Sequence, residues 1–156
     1  AIYFALKGAR KVLGIEPQKT PYYVSLKNVG LNELKNVTLI NGAIEYESDV
    51  VFVDDKGVLG SNGVLVDGKK KQGFKVPAYR LRDLVHLIRP EVLKIDCEGC
   101  EWEILNNDTD TLNKFSTIVM EVHGRNYKKV ANILSGFKVI RVLYGKTPIF
   151  TLENRR

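Results

Sequence analysis

Long apolar runs, internal repeats, histidines and cysteines are all scarce in this chain, and each scarcity closes off a class of function. The 156 residues include two Cys and two His, dispersed in a way that does not give the ligand spacing of a zinc finger. Two cysteines also fall short of the disulfide framework of a small secreted module. No stretch approaches the ~20 continuous apolar residues of a membrane span. The start carries no basic segment followed by an apolar block, so no secretory signal is expected and a cytoplasmic location is the default. No linker, low-complexity segment or repeat divides the chain, which predicts a single domain over residues 1–156.

Negative charge is in deficit too: 24 Lys and Arg face 18 Asp and Glu, a formal net charge of +6. A basic balance permits contact with nucleic acid or an anionic surface. Here the cations are scattered, and the densest run, Lys69-Lys70-Lys71, lies between Gly68 and Gly73. That is the composition of a solvated hairpin tip, whereas phosphate binding needs several converging cations. Neither nucleic acid nor membrane is therefore expected as a partner.

What the chain does have is an alternation of short apolar elements. Residues 1–6 are rich in helix formers, with Gly8 as a stop signal, and read as the end of a helix. Residues 11–16 form an apolar run closing on an acid and Pro17, the pattern of a buried parallel strand. Tyr22, Tyr23, Leu26 and Val29 have helical spacing, and Val37–Ile40 is a further strand. β-Branched runs at Val50–Val53 and 64–66, with turn signals at 54–57 and 61–63, predict antiparallel hairpins inserted at about residues 46–76. A helix at Leu81–Ile88, a strand at Val92–Ile95, a helix starting over 101–105 and a strand at 117–122 follow. A helical segment at 127–134 and two strands, Phe137–Leu143 and 147–152, complete the order. Strand–helix alternation that ends in an antiparallel pair predicts an α/β fold with a doubly wound sheet.

Ligands of such folds sit outside the carboxyl ends of the strands. Glu16 stands at one of these ends, where an acid can accept both ribose hydroxyls of a nucleoside or can be a plain solvated terminus. The densest constellation is Lys94-Ile95-Asp96-Cys97-Glu98-Gly99-Cys100-Glu101, with three carboxylates within six residues. They repel one another and need a cation, a metal or helix N-terminal amides nearby. Carboxylates also favour helix N-termini for structural reasons alone. Glu121 and His123 end the next strand and, two residues apart, point the same way. Together with Asp96 they could bind a divalent cation, or the group could act as acid and base. His86 has no acidic company in its helix and reads as structural. Cys97 and Cys100 form C-x-x-C between strand and helix, the setting of a thioredoxin-like redox pair, with Pro148 as a candidate companion. The adjacent carboxylates disfavour the thiolate such a pair needs, so the expectation is two small thiols serving as packing residues.

The run Val92-Leu93-Lys94-Ile95-Asp96-Cys97-Glu98-Gly99-Cys100-Glu101 resembles the L-K-I-D-x-E-G-x-E signature of FkbM-type methyltransferases. Gly8-Ala9 through Ile15-Glu16-Pro17 resembles the family's second strand with its ribose-binding acid. Asn28, Leu31-Asn32 and Asn36-Val37 resemble its asparagine-rich helix exit. Gly42-Ala43-Ile44 falls where the adenine usually lies, and Glu121-Val122-His123 resembles the end of the family's fifth strand. The resemblance covers nearly the whole chain, with departures. Ala1-Ile2-Tyr3-Phe4 falls inside the helix that follows the family's first strand, and the 156 residues contain no G-x-G loop. Arg80-Leu81-Arg82 stands where the family has T-L-D, with Asp83 one residue on.

The resemblance implies a Rossmann-like class I methyltransferase sheet, mostly parallel, with an antiparallel C-terminal hairpin and N-terminally incomplete. It implies S-adenosylmethionine (SAM) as cofactor, with Glu16, Gly42, Ala43 and Asp96 as its binding residues. The implied reaction is O-methyl transfer to a hydroxyl of a sugar-like or other small acceptor. Asp96, Glu98 and His123 are then the catalytic candidates, and Asp96, Glu121 and His123 the candidate ligands of a divalent cation. A missing central strand would leave backbone groups unmet at about 1–3 kcal/mol each, so completion of the sheet by a second copy in a homodimer is a further expectation. Two alternatives stay open: a non-catalytic binding or assembly module on the same fold, and a C-x-x-C oxidoreductase.

Overall fold

A computed structural model describes residues 1–53, 73–124 and 127–155. They fall into two compact units, Ala1–Tyr79 and Arg80–Arg156. In the first, α1 (Ile2–Leu6) leads into β1 (Val12–Ile15), α2 (Lys19–Leu31) and β2 (Val37–Ile40). β1 and β2 pair in parallel, Val12 beside Val37 and Ile15 beside Ile40. Two asparagines clamp the ends of this pair by giving side-chain N–H groups to backbone carbonyls that have left the ladder. Asn36 donates to Ala9 O at 2.6 Å, and Asn41 donates to Glu16 O at 2.8 Å and Pro17 O at 3.0 Å. α2 is longer than its apolar spacing predicts, with Pro21 in the first turn where a missing N–H does no harm.

β3 (Ala43–Ile44), β4 (Val50–Val53) and β5 (Phe74–Tyr79) form a second sheet in the order β3-β5-β4. β3 runs parallel and β4 antiparallel to β5. Period-two alternation sends Val51, Val53 and Val76 inward, where they cluster with Ala43 beneath Phe74 and Ala78, while Phe52 and Lys75 stay exposed. The run at 64–66, the turn signals at 54–57 and 61–63, and Lys69-Lys70-Lys71 all lie outside the described residues. The strand paired with β4 is β5, which the apolar pattern conceals because Lys75 and Pro77 interrupt it.

The second unit comprises α3 (Leu81–Ile88), β6 (Val92–Ile95), α4 (Cys100–Asn107), α5 (Thr109–Leu112), β7 (Thr117–Glu121), α6 (Val130–Ile133), β8 (Phe137–Leu143) and β9 (Ile149–Asn154). The helix expected over 127–134 is a 3₁₀ turn at Tyr127–Lys129 followed by the single turn of α6. The sheet order is β6-β7-β9-β8, with β6 parallel to β7 and β9 antiparallel to both its neighbours. Ile118 lies opposite Leu152 and Met120 opposite Phe150, all four buried on one face together with Ile95. The opposite parity carries Lys94 on β6 and Val119 and Glu121 on β7, which gathers polar residues at the strand ends. Instead of one mostly parallel sheet, the described residues give three sheets, with three parallel and three antiparallel pairings.

α4 buries Glu101, Ile104 and Leu105, and Asp108 follows at the next position of the same stripe. Each end of that stripe is thus a carboxylate. Asp108 accepts the Arg82 N–H at 3.1 Å, the Arg82 guanidinium at 3.4 Å and the Thr111 hydroxyl at 3.3 Å. This is where the arginine at the place of the family's usual acid is used. β8 lies at the end of its sheet, exposes Val139, Ile140 and Leu143, and breaks register between Val139 and Arg141. No helix among the described residues is long and apolar enough to cross a membrane.

Gly42 gives a direct test of packing in the first unit. A Cβ there would lie 2.6 Å from Tyr79 Cε2 and 3.0 Å from Pro77 O. Gly42→Ala is expected to cost about 1–3 kcal/mol by overpacking, read as a lowered thermal midpoint. The loss should shrink in a Tyr79→Ala background.

Candidate active site

The site is built on the turn between β6 and α4. The chain passes through Glu98 at φ 56° and Gly99 at φ 126°. A Cβ on Gly99 would meet open space, so glycine is required there by backbone conformation, not by crowding. Glu98 sits in the left-handed region that side-chain-bearing residues seldom enter. The turn brings the Cα atoms of Cys97 and Cys100 within 5.5 Å, and the two half-buried residues are joined by a disulfide. The expectation of two free packing thiols is corrected by this bond, which follows from a reversal of the chain that C-x-x-C spacing alone does not reveal.

Glu101, in the first turn of α4, is fully buried. Its Oε2 accepts the Gly99 N–H at 2.9 Å, and its Oε1 accepts the His123 backbone N–H at 2.6 Å. His123 Nδ1 is 3.2 Å from the same Oε1. An oxygen that faces both a backbone donor and Nδ1 fixes the proton on Nδ1 and turns Nε2 outward. Trp102 completes the grip, its indole N–H donating to His123 O at 2.7 Å. His123 is therefore held at its N–H, its C=O and its ring. Glu101 was visible in the sequence only as one of three clustered acids. The spacing 101, 104, 105, 108 would have shown that it belongs to a buried stripe.

The remaining carboxylates each have a polar neighbour. Lys94 Nζ lies 2.8 Å from Asp96 Oδ2. Glu98 Oε2 lies 3.3 Å from His123 Nε2, and Glu121 Oε1 lies 3.9 Å from it. Thr147, in the turn between β8 and β9, donates its hydroxyl to Glu121 Oε1. The structure thus brings together Asp96, Glu98, Glu121 and His123 and adds Lys94, Glu101 and Thr147. Ligand atoms of Asp96, Glu121 and His123 lie within 4.8 Å of one another, a nitrogen-and-oxygen set that fits a divalent cation. The Lys94 ammonium already neutralises Asp96 and would have to yield to such an ion.

In the first unit, Glu16 stands just past β1. Its Oε1 accepts the Gln18 N–H at 2.9 Å, and the Asn41 contacts anchor the carbonyls on either side of this turn. Burial raises the Glu16 pKa above its ordinary value, partly offset by the Gln18 hydrogen bond. Gly42 and Ala43 are buried: the Tyr79 ring occupies the space above Gly42, and Ala43 belongs to the valine cluster. A surface hollow of about 510 Å³ lined by Val29, Gly30, Glu33, Leu34 and Lys35 contains none of the expected site residues. His86 is exposed on α3.

Two outcomes follow. Glu101→Leu strands the Gly99 and His123 N–H groups, each worth about 1–3 kcal/mol when buried without a partner. Chemical denaturation should show a loss of several kcal/mol, and Glu101→Gln, which keeps an acceptor, should lose less. For Glu16, a raised native pKa means the folded state binds the proton more tightly than the unfolded state does. Its stabilising contribution is full below the ordinary carboxylate value of about 4.3 and is lost as pH rises through the raised value. Glu16→Gln should therefore raise the thermal midpoint at neutral pH and leave it nearly unchanged at about pH 3.

Comparison with known protein families matches residues 1–144 to the methyltransferase FkbM domain. No curated protein and no solved structure matches the chain. The matched span takes in the first unit, the second unit through β8 and the whole strand–turn–helix run that carries Asp96, Glu98 and Glu101, and the chain belongs to the FkbM methyltransferase family.

Proposed function

We propose that this chain is a SAM-dependent O-methyltransferase in which His123 takes the proton from a hydroxyl of a small, sugar-like acceptor. The observation that carries this is the pairing of buried Glu101 with part-buried His123: a carboxylate faces Nδ1, and Nε2 lies between Glu98 and Glu121. That is the arrangement of an oriented general base. The family membership and the sheet order β6-β7-β9-β8, with its antiparallel terminal pair, support a class I methyltransferase frame.

SAM, when bound, supplies an electrophilic methyl group on a sulfonium. The chain's own part is to bind, orient and accept a proton. A proton arriving at His123 Nε2 is received between two carboxylates, which stabilise the imidazolium as it forms. Asp96, paired with Lys94, would position the acceptor. In the first unit, the Glu16 carboxylate fits a ribose diol, since Oε1 is engaged by one backbone N–H and the group is only partly desolvated. Gly42 and Ala43, buried beside the Tyr79 ring and the valine cluster, would meet the adenine through backbone groups alone. A divalent cation on Asp96, Glu121 and His123 is the second reading, favoured by the convergence of those three groups. In that case His123 is a ligand and no longer a base.

Calorimetric titration with SAM and S-adenosylhomocysteine comes first, followed by transfer of labelled methyl to a panel of small polyols and glycosides. Binding and turnover are expected. His123→Ala should lower kcat by roughly 10²-fold or more while leaving the S-adenosylhomocysteine Kd unchanged. Loss of turnover on treatment with a chelator, restored by a divalent cation, would favour the metal reading. Absence of binding at millimolar ligand would make the chain a non-catalytic module on the methyltransferase fold.

A further inference from the structure

Cys97 and Cys100 have no role in the reaction proposed above, yet they are joined across the turn that carries Glu98. We infer that they form a reversible dithiol–disulfide site whose closure holds Glu98 against His123. The bridge encloses just Glu98 and Gly99, the two consecutive residues of this turn with positive φ. For Gly99 that conformation is easy, but for Glu98 it needs enforcement. A ring closed across Cα atoms 5.5 Å apart supplies it, and the result is the 3.3 Å contact between Glu98 Oε2 and His123 Nε2. Both cysteines are partly exposed, so a small dithiol can reach them.

Reduction by a dithiol breaks the S–S bond with two electrons. The two sulfurs of the protein each gain a proton, and the reductant closes to its own disulfide. Cys97 Sγ lies 3.5 Å from Glu101 Oε2, which offers a freed thiol an acceptor. With the ring open, Glu98 is released from the left-handed conformation and the group beside Nε2 is lost.

The test uses the full chain, prepared without reductant. Alkylation with iodoacetamide and intact mass measurement should give no adduct, then two adducts after dithiothreitol, and none again after reoxidation by oxidised dithiothreitol. Amide exchange at Glu98, Gly99 and His123, followed by NMR, should be roughly tenfold faster or more in the reduced chain. A Cys97→Ser, Cys100→Ser double variant should match the reduced chain and ignore dithiothreitol. Two adducts on the unreduced chain would overturn the proposal, and so would exchange rates that stay the same when the bond is opened.

Discussion

One carboxylate with no exposure to water organises the reactive end of the second unit. A carboxyl group out of water is tolerated only where hydrogen bonds replace its hydration, and Glu101 obtains them from two different elements. Gly99 belongs to the turn that starts α4, and His123 follows the end of β7. The electrostatic requirement of a single side chain thus ties a helix to a strand end. Ile104 and Leu105, buried one turn further along the same stripe, hold the helix in place for apolar reasons. Core packing and site geometry are set by neighbouring positions of one helix, and a change in either is felt in the other.

The clustered acids are handled locally. Three of the carboxylates have a donor of their own, Lys94 for Asp96, backbone amides for Glu101 and a hydroxyl for Glu121, while Glu98 lies against the His123 ring. The sheet makes this possible, because parallel pairing of β6 with β7 ends both strands at the same level. The antiparallel β9 then returns the turn containing Thr147 to that level. Charges that would repel one another along a single turn are spread over three strand ends and a helix N-terminus.

The parts of this arrangement that lie close together in sequence were legible there. The Lys94-to-Glu101 run, the strand before it and the helix after it follow from apolar spacing and turn chemistry over about ten residues. Asp96, Glu98, Glu121 and His123 were visible as strand-end polar groups, and the structure brings all four together. Glu101's central role was hidden because an acid in a first helical turn has an ordinary explanation. Thr147 was hidden because it meets Glu121 from 26 residues away. The disulfide was misread because it depends on the backbone conformation of Glu98, an unusual one that residue type does not suggest. β5 was missed where Lys75 and Pro77 break the apolar rhythm, and the described residues give three sheets because no ladder joins β1 and β2, or β3, β4 and β5, to the strands of the second unit.

The irregularity in β8 bears on how the protein behaves at high concentration. An outermost strand seven residues long, with Val139, Ile140 and Leu143 exposed, is a natural template for another chain's backbone. The break in register at Ile140 interrupts the row of hydrogen-bonding groups such a chain would read, and Lys138 and Arg141 set like charges on either side of it. Two copies approaching edge to edge would meet a kink and four cations instead of a flat ribbon. The bulge thereby works as a guard against fibrillar self-association, leaving the apolar side chains of the terminal hairpin in place without making them adhesive.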